Sequence, residues 1–501
     1  MQLEELESGA RELLIRIDEL KNSHRPIQQL PPDVLTEVAT YLHPRVCGGD
    51  YRPLVAMSQV CHYWRDTLLS DAGSWALINS ESIGLLPLLL KRSGSHLLEV
   101  NLNMDTLIPH TIEHLGPHTS RLGDLRCDLE EADIAALQSL SLLDPSPLLR
   151  TLSIEISRPP AFSPGVIEMA LISGEMPSLR KLELLPFPIT PQFAEFKHLV
   201  DLRLDVRYST LTSVLDLLSA NPSLEKVRLL GNFKGDEDDT RAAGSILMKR
   251  IRFFTLERCS PRLLLEKLTL LPEARVFIRY NFMHHFNRSE YALPRSVEGY
   301  PNLQSLSSLY ALVTDQNDTY IDATGPNGSI AIQYTDLRDV SALSHTMATL
   351  PRTGITQLTC ESHPASTGME IGKVIEMMNI LPRLEEIILI HFGGVDIQNF
   401  LFVLTSRNRW TYLRRLKFVH CRQIVDWIDH LVNVAIGREE EDSILEAVTV
   451  VREEGAGEGW FDVLKEFVGT LELVEEEESQ ILRSVQMWDD VNCTTARVSV
   501  R

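Results

Sequence analysis

The sequence predicts a mixed α+β / α/β fold: a small all-helical N-terminal part followed by an irregular leucine-rich α/β solenoid. Three observations carry that expectation. Apolar residues recur at helical spacing up to about residue 76, they alternate as L-x-L phrases from about Leu97 onward, and the phrases return behind prolines at uneven intervals. Four segments follow: an amphipathic helix at 1–22, a helical unit at 26–76, the array at 95–450 and an acidic C-terminal segment at 451–501.

In the first segment Leu3, Leu6, Ala10, Leu13, Ile17 and Leu20 step alternately by three and four, with charged residues between them. That spacing draws one narrow apolar seam, too short to be a secure coiled coil alone. Asn22 to Pro26 ends it, because the residue before a proline avoids helical backbone. Leu30-Pro31-Pro32-Asp33 opens the next helix, where proline's missing N–H costs nothing and Asp33 suits the positive end of the dipole. Val34, Leu35, Val38, Ala39 and Leu42 form one apolar face, His43-Pro44 stops the helix, and Cys47-Gly48-Gly49-Asp50 is a loop. Leu54, Val55 and Met57 then lead into Val60, Cys61, Trp64, Leu68 and Leu69 on a further helical stripe, closed by Trp75.

These residues resemble an F-box. RPIQQLPPDVLTEVATYLHP and LVAMSQVCHYWRDTLLS carry the likeness in the family's order: a leading Leu-Pro, an acidic-Val-Leu helix start, a Glu-Val shortly after, and a late Val-Cys-x-x-Trp-Arg. The likeness runs from Ile27 to Trp75. It departs at Ala72-Gly73-Ser74-Trp75, where many members carry a Pro and a Leu, and in the longer Gly-Gly loop. The resemblance implies helices that present apolar residues to the Skp adaptor of a cullin-RING ubiquitin ligase. The positions it implicates are Leu30, Pro31, Val34, Leu35, Val38, Val60, Cys61, Trp64 and Leu68, with Leu30-Pro31 and Trp64 as the leading anchors. It further implies a receptor that tethers an unknown client protein near the ubiquitin-loaded enzyme. A scaffold that holds its partner without ubiquitination is the alternative.

Beyond the helices, L-x-x-L-x-L or a conservative variant begins at Leu97, Leu122, Leu149, Leu179, Leu199, Leu224, Leu265, Ile355, Leu384, Leu413 and Leu445, with a poorer copy at Leu303. A proline precedes the phrase at Pro147, Pro177, Pro222, Pro301 and Pro382. Proline ends the preceding segment, and the alternating leucines are the inward side chains of a strand stacked on the strand before it. Leu182, Leu202, Leu268, Ile387 and Leu416 are the expected inward residues, and stretches such as ITPQFAEFKHLV and TSVLDLLSA the return helices. This resembles the irregular leucine-rich-repeat arrays found behind many F-boxes, without the asparagine position of regular repeats. Asp236 to Asp239 is an expected loop insertion, and Asp315 to Ser329 an exposed hairpin or loop.

Composition narrows the function classes. The chain has 501 residues, 44% hydrophobic and 23% charged, which suits a folded protein with a sizeable core. Sixty-nine acidic against 48 basic residues repel a phosphate backbone and an anionic bilayer, so neither nucleic acid nor membrane is an expected partner. The acidity is local: Gly437 to Asp490 holds 17 acidic and 4 basic residues, which either keeps the end of the array soluble or complements a basic client segment. Seven cysteines without a CxxC pair, a charged N-terminus and the broken apolar run Ile83 to Leu90 point to a soluble cytoplasmic or nuclear protein. No phosphate-loop, dinucleotide, nucleophile-elbow, zinc-protease or EF-hand motif is present, and no catalytic, cofactor or metal residues are expected. His284-His285 has no companion ligand nearby. Cys61-His62 cannot act as nucleophile and base, since neighbours on a helix point apart.

Overall fold

The computed structural model describes residues 2–45, 50–102, 108–129, 147–156, 176–187, 189, 193, 196–233, 245–259, 264–281, 301–313, 319–326, 328–335, 346, 349–350, 353–362, 369–406, 410–440, 443–452 and 464–475. His284-His285, Asp236 to Asp239 and most of the acidic C-terminal stretch lie outside them. The chain divides into two units, 1–251 and 252–501. Both are mixed α/β, with a large, mostly parallel sheet that does not close into a barrel.

The first unit begins with helices α1 (Gln2–Ser23), α2 (Pro32–Tyr41), α3 (Arg52–Ser58) and α4 (His62–Ser70). A single 3-10 turn, Ala72–Trp75, delivers the chain to strand β1 (Leu77–Asn79). Strands β2 (Leu98–Leu102), β3 (Leu122–Leu129), β4 (Thr151–Ile156), β5 (Lys181–Leu185), β6 (Asp201–Asp205) and β7 (Lys226–Leu230) follow, each parallel to the one before. Parallel neighbours need a crossover, and α5 (Leu86–Arg92), α6 (Ile108–Leu115) and α7 (Leu211–Ala220) supply three of them. Register follows the leucines. Leu125, Leu152, Leu182, Leu202 and Val227 pair in one row and are all buried. A one-residue slip would turn that row out into water. Strand β8 (Ile246–Met248) stands outside the large sheet.

In the second unit β9 (Phe253–Glu257) and β11 (Arg275–Asn281) pair in parallel, while β10 (Leu268–Leu270) stays outside the large sheet although Leu268 is buried. β13 (Thr319–Gly325) runs antiparallel between β12 (Ser308–Val313) and β14 (Gly328–Thr335), and β14 pairs in parallel with β11. From β12 the sheet continues in parallel through β15 (Gln357–Ser362), β16 (Glu386–Ile390), β17 (Arg415–Val419), β18 (Ala447–Arg452) and β19 (Thr470–Glu475). Helices α8 (Ile371–Ile380), α9 (Gly394–Ser406) and α10 (Ile424–Glu440) return the chain between them.

The stretch around Asp315 to Ser329, expected to be an exposed hairpin or loop, contributes the β13–β14 hairpin, but inside the sheet rather than exposed. Ile321, Ala323, Ile330 and Ile332 are buried there. Turn residues dominate that sequence, so its short alternation of apolar residues was easy to overlook.

The proline phrases have a local cause. In Asn221-Pro222-Ser223-Leu224 the Ser223 Oγ donates to the Leu199 carbonyl of the previous phrase at 3.0 Å, and Ser178 donates likewise to Pro147. The Val200 carbonyl accepts from both Glu225 and Lys226 N–H, and Glu385 from both Arg414 and Arg415. Each strand is therefore hooked to its predecessor at its entry. The exits are also alike. Gly231, Arg258, His391 and His420 all have left-handed φ, between 48° and 85°, at the eighth residue of phrases starting at Leu224, Ile251, Leu384 and Leu413. This backbone conformation tilts the chain off the sheet at the same point in each unit.

Candidate docking face of the N-terminal helices

Helices α2, α3 and α4 share a small core of Leu35, Ala39, Leu54, Met57, Trp64 and Leu68, all buried. Leu35 and Ala39 are four apart and stack on the inner side of α2. Val34, Val38 and Tyr41 fall on the neighbouring side and are exposed. The single apolar face expected from the sequence is thus two faces, because adjacent helical residues lie about 100° apart and one stripe this wide can serve both a core and a surface.

The nine positions implicated by sequence separate accordingly. Leu35, Trp64 and Leu68 are buried, Leu30 and Cys61 are half-buried, and Pro31, Val34, Val38 and Val60 are exposed, Val60 by 54%. Ile27 and Tyr41 are exposed apolar residues that sequence reasoning did not single out. The spacing Val34-Val38-Tyr41 was the available signal for Tyr41. Trp64 keeps only 8% of its surface, and its buried Nε1–H has no acceptor among the described residues.

Local bonds hold this face in shape. Pro31 caps α2 with Pro32 in the first turn, and the Tyr63 hydroxyl donates to the Leu30 carbonyl at 2.6 Å, clamping the Leu30-Pro31 approach onto α4. Cys61 is a helix cap rather than a buried packing residue: its Sγ accepts the Trp64 N–H at 3.5 Å. Arg65 Nε donates to the Ser58 carbonyl at 3.1 Å, fixing the α3–α4 turn that carries Val60. Burial and the nearby Arg45 hold the His43 imidazole below its ordinary pKa against the pull of Asp71, so it is neutral at physiological pH.

Trp75 anchors the helices to the first strand. It is fully buried, donates from Nε1 to the Leu68 carbonyl at 2.8 Å, stacks on Tyr51 at 6.1 Å and carries the Arg92 guanidinium 4.3 Å above its ring. The Tyr51 hydroxyl donates in turn to the Leu77 carbonyl in β1. Burial raises the Tyr51 phenol well above its ordinary value, so it stays a donor throughout the physiological range.

Among the described residues no group of three or more His, Cys, Asp or Glu side chains could hold a metal ion, and no helix is long and apolar enough to cross a membrane. Cys127, Cys259, Cys360 and Cys421 are buried, and burial pushes the Cys127 and Cys421 thiols up to about 12. No family model matches the chain, and no curated protein matches it.

Proposed function

We propose that this chain is the client-binding, non-catalytic subunit of a Skp-cullin-F-box ubiquitin ligase. The observation that carries the reading is the exposure of the apolar residues Pro31, Val34, Val38, Tyr41 and Val60 on a three-helix unit whose other apolar residues are packed. Four of those five coincide with positions of the F-box resemblance. An adaptor covering them would remove exposed apolar surface, worth about 25 cal/mol per Å² before the costs of association.

In this reading the parallel sheet is an irregular leucine-rich array. Its support is the shared exit geometry: the residue after the left-handed position is Asn232, Cys259, Phe392 or Cys421, so the Asn or Cys of regular repeats, expected from the sequence to be missing, stands at three of these four exits. Cys421 Sγ lies 3.4 Å from the Leu389 carbonyl of the preceding strand, a weak cross-repeat bond of the kind that position supplies. The phrase beginning at Ile251 belongs to this set, with Phe254 and Leu256 buried, although its Ile-x-x-Phe start does not look like the others. The receptor acts by effective concentration, because a tethered client meets the ubiquitin-loaded enzyme as if intramolecularly.

Co-expression with a Skp adaptor tests the reading. Val34→Glu with Val38→Glu should abolish adaptor capture while far-ultraviolet circular dichroism stays unchanged, since both side chains are already exposed. Undiminished capture would sink it. Client ubiquitination in a reconstituted ligase separates a receptor from a scaffold that holds its partner without ubiquitination.

A further inference from the structure

We propose that α1 pairs antiparallel with the same helix of a second copy of this chain. The helix is about 33 Å long at 1.5 Å per residue, and every described side chain from Glu5 to Lys21 is exposed. Its apolar residues are included: Leu6 is 72% exposed and Leu13 63%. A lone helix of this length is marginal in water and gains stability by packing an apolar face. The seam is a three-heptad a/d pattern, with a at residues 3, 10 and 17 and d at 6, 13 and 20.

Four features choose a second copy, and choose its direction. Antiparallel pairing sets a against d, so Leu6 meets the second copy's Ile17 and Ala10 meets its Leu13, matching a small residue with a large one in both central layers. A parallel pair would leave Ala10 opposite Ala10. Gly9 is the second feature: a Cβ there would meet nothing among the described residues and its φ is not left-handed, yet glycine is a poor helix former. In the antiparallel register g positions flank one another, so Gly9 lies across from the second copy's Arg16, and its lack of a side chain leaves room for that long side chain to cross the seam.

Charge is the third. Arg16, at a g position, faces the second copy's Gly9 and so reaches Glu5 and Glu12 one turn to either side, while Glu7 comes alongside Arg11. Parallel pairing would instead set Arg16 against Lys21, a like-charge contact. Fourth, acidic residues outnumber basic ones along α1, which disfavours an anionic bilayer as the cover for this seam.

The test uses the full chain in analytical ultracentrifugation and light scattering. The expected result is a concentration-dependent doubling of the 56.7 kDa mass, with Leu13→Glu plus Ile17→Glu monomeric and its circular dichroism unchanged. Arg16→Glu should raise the dimer Kd about tenfold, since the twofold repeats each lost pair, and adding Glu5→Arg and Glu12→Arg should restore it. Mixed Leu6→Cys and Ile17→Cys chains should cross-link under mild oxidation, and neither alone. A wild-type chain still monomeric at about 100 μM, where any micromolar complex is populated, would overturn the proposal. So would a dimer that survives Leu13→Glu plus Ile17→Glu, or cross-linking of Leu6→Cys with itself.

Discussion

Asn221 offers the sharpest test of how neighbouring units of the sheet are joined. Its side chain is fully buried, its Oδ1 accepts the Leu199 N–H at 3.2 Å, and its Nδ2 donates to the Leu217 carbonyl at 2.9 Å. Leu217 lies in the last turn of α7, where a helix leaves carbonyls without partners, and Leu199 opens the phrase of β6. One amide therefore caps a helix and ties it to the strand before. Asn221→Ala strands a buried N–H and a buried C=O, each costing about 1–3 kcal/mol, so the unfolding free energy should fall by about 2–6 kcal/mol. Asn221→Asp separates the two bonds. Ionised, it still accepts from Leu199 but repels the Leu217 carbonyl; protonated, it can serve both. Its folded pKa is then raised above the ordinary aspartate value, so the stability it contributes is greatest at low pH and is lost as pH rises through the folded pKa. Urea titrations followed by far-ultraviolet circular dichroism, at about pH 5 and about pH 7.5, read both variants against wild type. An alanine variant within about 0.5 kcal/mol of wild type, or an aspartate variant that gains relative stability as pH rises, would refute the reasoning.

Three further outcomes are expected. Burial raises the Asp322 carboxyl to about 6 despite the opposing pull of Arg275; the folded pKa exceeds the unfolded one, so this residue costs stability progressively as pH rises toward 6. Asp322→Asn should remove that slope in thermal melts and add about 1–2 kcal/mol at neutral pH. On α2, Leu35→Ala should destabilise the chain by about 2–5 kcal/mol in denaturant titrations, whereas Val34→Ala should change stability by less than about 0.5 kcal/mol, because only Leu35 is in the core. Among the glycines, Gly325→Ala drives a Cβ into the Ser305 carbonyl oxygen and should cost about 1–3 kcal/mol; Gly372→Ala in α8 meets nothing among the described residues and should gain about 0.5–1 kcal/mol by the same measurement.

The leucine phrases by themselves determined most of the parallel strands, because an inward side chain every second residue is a local property of the chain. Leu182, Leu202, Ile387 and Leu416 are buried where that alternation put them. The helical segments from Pro32 to Ser70 were legible for the same reason, in their start and stop residues. What periodicity could not decide was direction. Val34 and Leu35 are equally apolar neighbours, and only the packing of α2 against α4 turned one outward and the other into the core. Nor could it find the Ile251 phrase or place the β13–β14 hairpin inside the sheet, because both depend on pairing with β11, distant in sequence. The left-handed exits at Arg258, His391 and His420 belong to the same class: such a φ is uncommon for a non-glycine residue, no local residue pattern announces it, and here it recurs where each strand leaves the sheet.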